Sequence, residues 1–165
     1  MEFEYDVKEN EILLKRCYGT EERIEVPAQI EGMPVTVLAP YIFSQARREP
    51  DQKAAICGNQ VKEIVLPDTV REIGNYAFYG CYYLEALTLS HRTHDIAGGA
   101  FTGCRHLKNL TFRMEQAEGY CMKDVLSEVH HEMKVKLVYP NAVCTLLFPE
   151  YYEEAVENTP ARQLE

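Results

Sequence analysis

One block of this chain is written twice in succession. Val61–Tyr83 (VKEIVLPDTVREIGNYAFYGCYY) and Leu84–His106 (LEALTLSHRTHDIAGGAFTGCRH) are 23 residues each and align without a gap. Leu66 falls on Leu89, Ile73 on Ile96, Ala77-Phe78 on Ala100-Phe101, and Gly80-Cys81 on Gly103-Cys104. A third unit opens as LKNLTF at Leu107, which puts Leu110 in phase with Leu87 and Ile64. A unit this short cannot bury its own apolar face, so successive units must stack and the ends of the stack must be covered.

The alternation Ile64-x-Leu66 sends both apolar side chains to one face of a short strand, and Leu87-x-Leu89 and Leu110-x-Phe112 do the same. Each strand is expected to pair with its equivalent in the next coil, about 4.8 Å away, so that like side chains form columns. The Ala-Phe-x-Gly-Cys segment is expected to make a helical turn whose Phe plugs the interior, closed by glycine at positive φ.

LPDTVREIGNYAFYGC resembles the unit of BspA-like leucine-rich repeats, LPxxVTxIGxxAFxxCxxL. Upstream, YGTEERIEVPAQIEGMPVTVLAPYIF is similar to the family's opening repeat at Tyr18, Gly19, Ile24, Val26, Pro27, Ile30, Gly32, Pro34, Val35, Thr36 and Phe43. Ser90 stands in place of the family's Pro, Thr93 in place of Val, and Ile42 in place of Ala. The resemblance implies an α/β fold, a right-handed leucine-rich-repeat solenoid, and a role in protein–protein interaction. Exported relatives resemble adhesins.

Around the repeats, Phe3, Tyr5 and Val7 alternate, as do Ile12 and Leu14, on either side of a polar turn at Lys8–Glu11. This predicts an N-terminal β-hairpin cap over 1–20. Repeats occupy 21–113, interrupted at 44–60 by a charged stretch with Pro50, read as a surface excursion with a short helix near Gln52–Cys57. From 114 to 165 the period fails. Met122, Val125, Leu126 and Val129 have helical spacing, Val135, Leu137 and Tyr139 alternate, Pro140-Asn141 is a turn, and AVCTLLF is a second strand. Together these make a C-terminal α/β cap on a single domain.

The formal charge of −9 argues against nucleic acid or anionic lipid as the main partner, since both need a basic footprint. Residues 114–165 hold ten acidic and four basic side chains, read as a solvated acidic face. MEFEYDVKEN is no signal peptide, and the longest apolar stretch, around Ala142–Phe148, is too short to span a bilayer, so neither export nor membrane insertion is expected. With a cytoplasmic setting, the six cysteines at 17, 57, 81, 104, 121 and 144 are expected to be reduced and metal-free.

Cys81 and Cys104 share one phase of adjacent coils, where small buried fillers are expected rather than a redox pair. His91, His94 and His106 lie outside the apolar columns, and His130-His131 ends the expected helix, where a cation suits the macrodipole. No spacing typical of a zinc site occurs. Ser44, Ser90 and Ser127 sit in no nucleophile elbow, and Glu153-Glu154 point to different helix faces. Tyr76, Tyr79, Tyr82 and Tyr83 are read as covering the convex turns, hydroxyls in water. The reading therefore has no catalytic residue, no cofactor and no metal. It is a non-catalytic interaction module with a protein partner. The alternatives are a segment of a larger repeat protein or adhesin, or an enzyme with a Cys/His centre. The partner is expected on the concave sheet face, where Arg23, Glu25, Glu63, Val65, Ala86, Thr88, Asn109, Thr111 and Arg113 alternate with the columns, or else on the 44–60 excursion.

Overall fold

The computed structural model describes residues 1–46, 50–56, 60–115 and 132–148. Every element that lies wholly within them is a β-strand, and the strands are arranged in two sheets. Six strands are β1 (Glu2–Lys8), β2 (Glu11–Tyr18), β3 (Arg23–Glu25), β4 (Gln29–Ile30), β5 (Met33–Leu38) and β6 (Glu63–Val65). The other six are β7 (Glu72–Ile73), β8 (Ala86–Ser90), β9 (Asp95–Ile96), β10 (Asn109–Arg113), β11 (Met133–Val138) and β12 (Val143–Phe148). One sheet runs β3-β6-β8-β10-β11 in parallel and ends on the antiparallel β12. The other runs β1-β2-β5-β7-β9, with β4 attached to β5.

The repeat period becomes register. Ile24, Ile64, Leu87, Leu110 and Val135 are successive Cα partners, and all five side chains are buried. Leu89, Phe112 and Leu137 form a parallel column. In the second sheet Leu38, Ile73 and Ile96 are successive partners. Between the sheets the rings of Phe43, Phe78 and Phe101 stack, with centroids 5.0 and 5.1 Å apart.

The expected helical turn does not form, and the hydrogen bonds explain why. Phe78 N–H donates to Ala100 O at 2.8 Å and Gly80 N–H to Thr102 O at 3.0 Å, both in the next coil. Donors committed between coils cannot close the local ladder that a helix requires. The groups left over make single reverse turns, such as Tyr79 N–H to Tyr76 O and Cys81 N–H to Phe78 O, both at 3.0 Å. Gly80 and Gly103 have φ of 71° and 84°, as the turn demands. A Cβ on Gly103 would lie 3.2 Å from Gly80 N, so the coils also approach too closely there for a side chain. Among the described residues the solenoid is therefore a β-solenoid without α-helix, in place of the α/β architecture expected. The helix expected over Met122–Val129 lies outside the described residues.

Elsewhere local chemistry decides. Glu9 and Asn10, at φ 53° and 63°, make the tight turn of the β1–β2 hairpin, and β2 then pairs parallel with β5. Phe3 and Tyr5 pack on the core, but Val7, near the hairpin tip, projects into solvent. Thr93, standing where Val70 stands one coil earlier, donates its hydroxyl to Val70 O at 2.8 Å, so the polar substitution is satisfied within the column. Gln52–Ala55 is irregular and Ile56 is in a 3₁₀ conformation, while the rest of the short helix expected there lies outside the described residues. Ala55 and Ile56 are fully buried, so these two residues of the excursion are core rather than surface. Buried Arg16 holds it: Nη1 donates to Tyr41 O at 2.5 Å, and Nη2 donates to Ala46 O at 3.0 Å and Lys53 O at 3.1 Å.

Candidate partner-binding face

In the β3–β12 sheet, the residues that alternate with the buried columns form continuous rows on the opposite face. One row reads Arg23, Glu63, Ala86, Asn109, Lys134, Leu147. The next reads Glu25, Val65, Thr88, Thr111, Lys136, Thr145. All nine residues expected on this face thus lie on it, Arg113 in a third row between Ser90 and Val138, which continues to Val143.

They are not equivalent. Arg23 Nη2 lies 2.9 Å from Glu25 Oε1 and its Nε 3.0 Å from Glu63 Oε1. The hydrogen bond to Glu25, with the Glu63 charge beside it, holds the guanidinium pKa above its ordinary value. Arg113 donates to Leu66 O, and its Nε lies 3.2 Å from Asp68 Oδ1, close enough for charge attraction but not aligned for a hydrogen bond. Four of the nine side chains are therefore engaged within the protein. Val65, Ala86, Thr88, Asn109 and Thr111 form an uncharged waist.

Beyond the waist stand Lys134 and Lys136, exposed on β11, with no salt bridge to a described residue. The period could not place them, because residues 116–131 separate β11 from the repeats. The alternation Met133-x-Val135-x-Leu137 could have. Lys108, Asn109, Glu132, Met133, Lys134 and Leu147 line an open cleft of about 290 Å³ at this end.

The candidates for chemistry do not converge. No group of three or more His, Cys, Asp or Glu side chains able to hold a metal occurs among the described residues. His91 Nδ1 lies 3.0 Å from Arg113 O, and His106 Nδ1 lies 2.7 Å from Tyr82 O, its ring against that tyrosine. Ser44 and Ser90 are buried, their hydroxyl oxygens accepting from Ala46 N–H and Arg92 N–H. Ser127, His130, His131, Glu153 and Glu154 lie outside the described residues. Burial pushes the Cys17 thiol up to about 12, too high for a nucleophile at neutral pH. Cys104 Sγ–H donates to Phe78 O at 3.2 Å.

Cys17, Cys104 and Cys144 are thiols, but Cys81 is disulfide-bonded, with a partner outside the described residues. This corrects the expectation that all six cysteines are reduced. Phase in the repeat places Cys81 in its column but carries no information about its pairing. On the turns, Tyr41, Tyr76 and Tyr79 form one aromatic cluster, and Tyr82 meets Tyr83 edge to face.

A family profile described as a BspA-type leucine-rich repeat region of six copies matches residues 52–142. Among solved structures, a leucine-rich-repeat protein of T. pallidum is similar at 27% identity and a TM-score of 0.57. The match covers 69% of this chain and 51% of that one. A leucine-rich cell surface protein of Faecalibacterium prausnitzii A2-165 is similar at 19% identity and a TM-score of 0.47, covering 84% of this chain and 41% of that one. The chain spans about half the length of the first of these and less of the second. No curated protein matches. Among the described residues no helix is long and apolar enough to cross a membrane.

Proposed function

The chain belongs to the BspA-type leucine-rich-repeat family, and from that premise we propose that it is a non-catalytic protein-interaction module. Its partner lies across the uncharged waist formed by Val65, Ala86, Thr88, Asn109 and Thr111 and reaches Lys134 and Lys136. The observation that carries this reading is the contrast within one face. Its charged N-terminal end and Arg113 are engaged by groups of the protein itself, whereas the two lysines have no salt bridge to a described residue and the waist carries no charge. An extended segment with acidic residues at one end fits that pattern. The 44–60 excursion is the second reading, and Arg16 argues against it by fixing the excursion's backbone to the core. A segment of a longer repeat protein or adhesin would use the same face, and the coverage of the T. pallidum structure supports that placement.

The test is affinity capture from the native cell with the parent chain, with Thr88→Arg/Thr111→Arg, and with Lys134→Glu/Lys136→Glu. Both variants should keep the parental Tm and lose the captured protein. Capture unchanged by either pair would refute the assignment.

The Cys81 disulfide supports an oxidising setting rather than the cytosolic one first expected. Alkylation in denaturant without reductant should label Cys17, Cys104 and Cys144 and spare Cys81. Fast labelling of any of these thiols in the folded protein at pH 7 would instead support an enzyme with a Cys/His centre.

A further inference from the structure

The last strand of the partner-binding sheet ends in an edge that matches itself. Among the described residues β12 pairs only with β11. Lys134 N–H donates to Lys108 O at 2.7 Å, and Val138 O accepts from Met114 N–H at 2.7 Å, so the even-numbered residues of β11 turn their backbone groups toward β10. The odd-numbered ones face β12, as Tyr139 N–H to Ala142 O at 2.8 Å shows at the turn. By the alternation of an antiparallel ladder, Cys144 and Leu146 bond back to β11, while Val143, Thr145 and Leu147 direct both N–H and C=O away from the sheet.

Natural edge strands are guarded by charges, proline or bulges. This one has none: residues 142–148 read AVCTLLF, and the β11–β12 register runs without a shift. Val143 and Leu147, 58% and 42% exposed, are among the most exposed large apolar side chains of the described residues.

We propose that β12 pairs antiparallel with β12 of a second copy about a two-fold axis at Thr145, joining two six-stranded sheets into one. The registers decide for a second copy. Centred on Thr145, the pairing sets Val143 opposite Leu147 of the other copy, Cys144 opposite Leu146, and Thr145 opposite itself. Apolar thus meets apolar, and Thr meets Thr, on each face. The three residues with outward backbone groups become the three hydrogen-bonded pairs, giving six N–H···O bonds with none left over. No charge in the strand opposes the approach, and the contact is isologous, so it closes at two copies. The partner-binding face then continues from one copy into the next.

The test uses the full 165-residue chain. Sedimentation equilibrium from about 10 μM to about 1 mM, where even a millimolar affinity registers, should show a monomer–dimer equilibrium. Thr145→Pro removes an N–H that β11 does not use, so it should abolish the dimer at unchanged Tm. If that variant folds poorly, Leu147→Lys makes the same test by setting a charge opposite Val143. Register is read by cross-linking. Thr145→Cys should oxidise to a 145–145 linked dimer, because hydrogen-bonded partners have Cα atoms about 5.5 Å apart. Val143→Cys should not link to itself, because the two positions lie about 13 Å apart along the strands. A chain monomeric throughout, as when its own continuation or another protein's strand covers the edge, overturns the proposal. So does a dimer indifferent to Thr145→Pro and Leu147→Lys, or a 143–143 link.

Discussion

The Phe78 ring lies between two others, 5.0 Å from Phe43 and 5.1 Å from Phe101, and is fully buried. Phe78→Ala removes the middle ring of that column. Loss of transfer energy and the cavity left behind cost about 3–5 kcal/mol. Phe78→Ala also forfeits two ring-stacking contacts, each worth about 0.5–1.5 kcal/mol. For a chain of this size each kcal/mol lowers Tm by about 2–4 °C, so the Phe78 variant should melt about 6–20 °C below the parent. Against a total stability of about 5–15 kcal/mol, it stands near the limit of folding. With no tryptophan in the chain, far-UV circular dichroism and tyrosine fluorescence in urea are the assays. A Phe78→Ala cost below about 1 kcal/mol would refute the column as the element that ties the coils together.

Replacing Arg16 by Leu should cost about 2–5 kcal/mol, because three backbone carbonyls lose a charged donor. Limited proteolysis should then cut first within 44–56, and cleavage elsewhere would count against Arg16 as the clamp. Cys17 carries a pH signature. Its folded-state pKa is raised to about 12, above the ordinary value of 9.0, so above pH 9 the unfolded chain releases a proton that the folded one keeps. Stability should fall as pH rises through that window, by up to about 1.4 kcal/mol per pH unit from this group. Cys17→Ala should remove that share of the slope, and an unchanged alkaline slope would show that Cys17 does not titrate in this way.

The columns were legible in the sequence because a fixed period with an uninterrupted alignment dictates register: Ile64, Leu87 and Leu110 had nowhere else to go. So was the outward face, which follows from strand alternation alone. The second sheet was not, since β7 and β9 have two residues each and two residues cannot alternate. The helical turn was misjudged because local spacing cannot register that Phe78 and Gly80 spend their N–H groups on the next coil. Ala55 and Ile56 lack periodicity and so read as surface, whereas Ile56 belongs to the core cluster and Arg16 bonds the nearby Lys53 carbonyl. On the site itself, charge in the sequence did not reveal which arginines were already occupied. That depended on Glu25, Glu63 and the Leu66 carbonyl being within reach.

The bonds between coils have a mechanical side. Phe43 N–H to Ala77 O, Phe78 N–H to Ala100 O and Gly80 N–H to Thr102 O all run from one coil to the next, along the stack rather than around it. Tension on the two ends of the chain therefore never loads these rungs together. It peels them one coil at a time, as a zip opens, at a modest and nearly constant force. Each 23-residue coil that lets go pays out about 75–80 Å of extended chain. A stretched tether of such coils lengthens in equal steps and absorbs work at each one, while the coils still stacked keep their shape.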